Sequence, residues 1–79
     1  MAEALFPVYE IRYETLFDAY PWAVVSASST DGAMSLLEKR LRENIPRDLS
    51  DIGFKMCAIV KNGANCDQQM VLYPLKKQD

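Results

Sequence analysis

The chain contains no histidine. That removes the commonest general base and metal ligand, and with them every Ser-His or Cys-His nucleophile pair. A lysine or carboxylate could still serve as a base, but a chain of 79 residues rarely closes a pocket around one. Cys57 and Cys66, without histidine, do not make a zinc site. Cys57 sits among Met56, Ala58 and Ile59 and reads as a buried small hydrophobe. Cys66 falls in or beside a turn, with only Lys61 near it in sequence to activate a thiol. A disulfide between the two remains an alternative, although a tight Asn-Gly hairpin would set them diagonally, which is poor geometry.

Ser28-Ser29-Thr30-Asp31-Gly32 could bind an anion at a helix start. Asp31 already serves the helix dipole and repels phosphate, so a helix cap is the better reading. Ser28 and Asp31 have roughly the spacing of a capping box. Lys39, Arg40, Arg42 and Arg47 form the basic cluster. Glu38, Glu43 and Asp48 interleave with it, which favours a solvated face of local ion pairs over a phosphate or acidic-protein site. Glu3, Glu10, Glu14 and Asp18 make the N-terminal part acidic. On the wet face of an edge strand such carboxylates would guard against stray pairing. Phe17, Tyr20 and Trp22 gather around one connection. They would either close the end of the sheet as a local cluster or stand exposed as anchors for a protein partner. The candidate partner-binding set is therefore Phe17, Tyr20, Trp22, Glu10, Glu14 and Asp18, with no catalytic or metal-binding residue and no cofactor.

Four strands and one helix must position these groups. Val8 to Leu16 alternates, with Tyr9, Ile11, Tyr13 and Thr15 on one side and Glu10, Arg12 and Glu14 on the other. Met1 to Pro7 reads as a tail, Phe17 to Pro21 as a connection and Trp22 to Ser28 as a second strand. In that strand Ala23, Val25 and Ala27 would lie beneath a helix, and Trp22 would face outward or cover an edge. Ala33, Met34, Leu37 and Leu41 fall on one face of the helix, with Leu36 at its edge. Asn44 and Pro46 end it. Pro46 to Ser50 could add one helical turn.

Phe54 to Lys61 is expected as a third strand, inside the sheet because Met56 to Val60 is continuously apolar. Asn62-Gly63 is expected as its hairpin turn, with a wider turn through Asp67 as the alternative. Gln68 to Leu75 is expected as a fourth strand, placed at an edge by Pro74. The order strand, strand, helix, strand, strand predicts one α+β domain over residues 1–79: a two-layer, four-stranded, largely antiparallel sheet with one main helix.

Composition narrows the function. The net charge of -2 is too near neutral for a nucleic-acid binder and too small for a DNA mimic. Residues 1–5 lack the basic start and apolar run of a signal peptide, and no segment is long and apolar enough for a membrane span. Two cysteines do not suggest a disulfide framework, so a reducing, cytoplasmic setting is expected. The favoured class is a non-catalytic module that binds a heterologous protein or protein complex. A homo-oligomeric structural or regulatory module, with a homodimer as its simplest form, is the alternative. A small enzyme or ligand carrier comes third.

In size, charge and layout the chain resembles small stand-alone proteins of phages and mobile elements, including anti-CRISPR inhibitors. The passage Ala23-Val24-Val25-Ser26-Ala27-Ser28-Ser29-Thr30-Asp31-Gly32-Ala33 resembles a strand-to-helix passage common in short phage-encoded domains. The resemblance implies a stoichiometric inhibitor, acting in the host cytoplasm, that blocks a defence complex by occupying its surface. It carries over no functional residue.

Overall fold

The computed structural model describes residues 5–17, 19–45 and 51–77, with the backbone alone for 19 and 20. The expected turn at Pro46 to Ser50 and the acidic residues Glu3 and Asp18 lie outside the described residues. Strands β1 (Phe6–Glu14) and β2 (Ala19–Ser26) precede helix α1 (Thr30–Glu43), and β3 (Lys55–Cys66) and β4 (Met70–Tyr73) follow it. All neighbouring strands are antiparallel, and the sheet runs β3-β1-β2-β4. The architecture is the expected small α+β fold.

The helix starts where its cap chemistry allows. Ser29, in an extended conformation, accepts a hydrogen bond at Oγ from the Gly32 amide at 3.0 Å. The cap is thus Ser29, one residue after the Ser28 of the expected capping box. Asn44 caps the other end, its amide donating to the carbonyls of Arg40 and Leu41. Asn44 also reaches the C-terminal segment: its Nδ2 donates to the Leu75 carbonyl at 3.0 Å, and its Oδ1 accepts from the Lys77 amide at 2.6 Å. Arg40 Nη1 donates to the Pro74 carbonyl at 2.8 Å. These bonds clamp the chain beyond β4 onto the last turn of α1.

The core lies between α1 and one sheet face. Tyr9, Ile11, Tyr13, Ala23, Val25, Ala27 and Val71 supply the sheet side, and Ala33, Leu37 and Leu41 the helix side, with Ile52 closing one end. The small set Ala23, Val25 and Ala27 is fully buried and lets the helix approach β2. Leu36 packs partly buried at the rim.

Several expectations change. Phe6 and Pro7 belong to β1 rather than to a tail, and β2 begins at Ala19, inside the expected connection. Pro7 is tolerated because it lies near the start of β1, where its carbonyl accepts from the Ala27 amide at 3.2 Å. β1 is an inner strand, paired on both sides, so Glu10 and Glu14 guard no edge. The edges are β4, as expected, and β3, whose apolar run Met56 to Val60 is largely exposed rather than inside the sheet. An apolar run signals burial only when both sheet faces are covered, and among the described residues one helix covers one face.

Asn62-Gly63 forms no hairpin. Pro7 pairs with Asn65 and Tyr9 with Lys61, so Val8 alone faces Asn62, Gly63 and Ala64. Gly63 takes φ +87, and the Ala64 amide donates to Asn62 Oδ1 at 2.9 Å. The turn-forming chemistry is used for a bulge within one strand. β3 therefore continues to Cys66 beside Phe6, and the chain crosses the end of the sheet to reach Met70 beside Ser26. Gln69 Oε1 accepts from the Ser28 amide at 3.1 Å and ties this crossing to the start of the helix.

Candidate functional site

Strand pairing assigns each side chain to a face. Ile11 pairs with Ala23 and Ile59, on the helix side. The next levels point away from the helix. At one level stand Val60, Glu10, Val24 and Tyr73 across the four strands; at the next stand Ala58, Arg12 and Trp22. Among these, Trp22 is 48% exposed, Val60 53% and Tyr73 58%. Arg12 lies over the Trp22 ring, its guanidinium carbon 5.2 Å from the centroid, in cation-π contact. Toward the crossing chain the same face is closed, with Val8 and Ser26 buried.

At its other end this face runs into a cleft of about 310 Å³. Tyr13, Phe17, Trp22, Tyr73, Leu41 and Ile52 line it. Two polar groups in its wall have internal partners. Thr15 Oγ1 accepts from the Phe17 amide at 3.1 Å, and Asn44 holds the C-terminal segment. The turn that carries Phe17 is pinned where the Leu16 amide donates to the Ile52 carbonyl at 2.9 Å.

The structure thus brings Glu10 and Trp22 onto one face, and Phe17 to the cleft beside it. Glu14 lies further along β1 with its Oε1 3.7 Å from Lys55 Nζ, a pair on the β3 side. Tyr20 contributes backbone to β2, and its side chain, like Asp18, lies outside the described residues. Sequence reading missed Tyr73, Val60 and Arg12. Their membership of this face depends on the strand order, which pattern alone does not give.

The remaining candidates resolve locally. Arg42 pairs with Glu38 at 3.7 Å, and Arg40 and Lys76 pair with Glu43 at 3.7 and 3.8 Å. Among the described residues the basic side of the helix carries local ion pairs, each worth little, with half-buried Arg40 also holding the Pro74 carbonyl; Arg47 and Asp48 of the expected cluster lie outside the described residues. Cys57 and Cys66 are free thiols, and Cys57 is exposed rather than buried, because it is the extra residue of a bulge between the Tyr13–Met56 and Arg12–Ala58 pairs. Among the described residues no three Cys, Asp or Glu side chains gather as a metal site. No helix of the described residues is long and apolar enough to cross a membrane. In comparisons with known proteins, no protein-family model, no curated protein and no solved structure matches the chain.

Proposed function

We propose that this chain is a non-catalytic protein-binding module that holds a heterologous partner on the sheet face turned away from its helix. The observation that carries this reading is the exposure of Trp22, Val60 and Tyr73 together on that face. The edges suit pairing less well. β3 is interrupted by bulges at Cys57 and at Asn62 to Ala64 and carries Lys55 and Lys61, while β4 has four residues and is followed by Pro74. With blunted edges and a helix face laced with ion pairs, the uncovered face is the surface best suited to a stable contact.

The layout resemblance gives this role a form: a phage-encoded inhibitor of the anti-CRISPR type, which blocks a host defence complex by occlusion. Mixed charge on the face, with Glu10 and Arg12 side by side, fits a protein surface better than it fits DNA. The test is capture from the native host's lysate with tagged protein, repeated with Val60→Glu on the face and Lys39→Glu on the helix. A stoichiometric protein partner retained by wild type and Lys39→Glu but lost by Val60→Glu supports the reading. Capture that ignores Val60→Glu, or no heterologous partner at all, sinks it.

A further inference from the structure

The residues of the uncovered face are ordered in a way that matches the face to itself. One level holds Val60, Glu10 and Val24 on β3, β1 and β2; the next holds Ala58, Arg12 and Trp22 on the same strands. Each strand thus presents an unlike pair: medium and small on β3, acid and base on β1, medium and large on β2. We propose that this face docks on the same face of a second copy, with β1 antiparallel to the partner's β1. The two-fold axis crosses both strands at the level of Ile11.

That symmetry exchanges the two levels. Glu10 then faces the partner's Arg12, Val60 faces the partner's Ala58, and Trp22 faces the partner's Val24. Opposite charges meet and bulky side chains meet smaller ones, as the interdigitated inner faces of a two-sheet sandwich require. At the usual spacing of about 10 Å between stacked sheets, Glu and Arg side chains from opposite sheets reach each other. A two-fold axis along the strands fails this test. It keeps every residue at its own level, setting Glu10 on Glu10 or burying it on Val24. The Arg12–Trp22 contact already holds the guanidinium over the ring, so less freedom is lost on docking.

The inference rests on reading this face as a contact surface. It adds that, without a heterologous partner, a second copy covers the face, and that the two compete for it. The experiment is sedimentation equilibrium of the full chain across a concentration series, with folding of each variant checked by circular dichroism. Wild type should dimerise. Arg12→Glu sets carboxylates opposite one another and should weaken the dimer at least about tenfold. Glu10→Arg does the same with guanidinium groups and covers the case in which Arg12→Glu fails to fold. The charge swap Glu10→Arg with Arg12→Glu restores opposite charges across the axis and should restore the dimer.

A wild type that stays monomeric up to about 1 mM overturns the proposal. So does a dimer indifferent to either single reversal, or a swap no better than the singles. The swap also separates this inference from the proposed function, because it preserves self-complementarity but inverts the charge pattern shown to any other protein. Lost dimerisation with intact lysate capture removes only the inference. Intact dimerisation without capture removes only the heterologous partner.

Discussion

Trp22 and Leu37 are both large apolar side chains, and the structure gives them opposite uses. Leu37 is fully buried against the sheet, so Leu37→Ala should cost about 2 to 5 kcal/mol in a urea or thermal unfolding curve. Trp22 keeps nearly half its surface in water, and Trp22→Ala should cost about 1 to 2 kcal/mol while leaving the fold intact. If Trp22→Ala proves as costly as Leu37→Ala, the ring belongs to the core and not to a contact surface. Leu37 was legible in the sequence, because its helical spacing from Ala33 and Leu41 leaves one arrangement. The exposure of Cys57 was not. A run of five apolar residues looks the same whether it crosses the middle of a sheet or lies along a bulged edge.

At the scale of elements, local chemistry was read correctly more often than its use. The Ser-rich cap, the Asn44 end of the helix and the alternation of β1 all follow from short-range sequence. Asn62-Gly63 shows the limit. Its positive φ and side-chain-to-backbone bond are what a tight turn needs, but the same geometry serves a bulge when the flanking residues pair with a third strand. Only the strand order decides between them. A Cβ on Gly63 would meet nothing within 4 Å, so Gly63→Ala isolates the backbone term. It should cost about 1 to 2 kcal/mol, the usual penalty for placing an L-residue at left-handed φ. A neutral result in chemical denaturation would mean that the bulge relaxes at no cost. The candidate site divides the same way. Trp22 could be turned outward from the alternation of β2, whereas its neighbours Tyr73 and Val60 come from strands distant in sequence.

Across the whole molecule, the order β3-β1-β2-β4 places the first two strands at the centre and sends the later strands to opposite edges. β1 and β2 have partners on both sides, and α1 lies over β2 and β4. β3 pairs with β1 alone among the described residues, and its outer row of amides faces water through Lys55 to Lys61. β4 has four residues but is held at its end by the Arg40 and Asn44 bonds to Pro74, Leu75 and Lys77. Native-state hydrogen exchange should therefore rank the amides of β1 and β2 slowest, near the global unfolding free energy. The outward amides of β3 should exchange fastest among the strands. Asn44→Ala should accelerate exchange in β4 and the segment after it without changing β1. Equal protection along β3 and β1 would require the β3 edge to be covered, as it would be if two copies met there. The dimer on the uncovered face predicts the contrary pattern. Stacking sheets face to face leaves the outward amides of β3 open, so their fast exchange should persist at concentrations where the chain is fully dimeric. Side-chain protection should rise only on the face, at Trp22 and Tyr73, where fluorescence quenching or footprinting can read it.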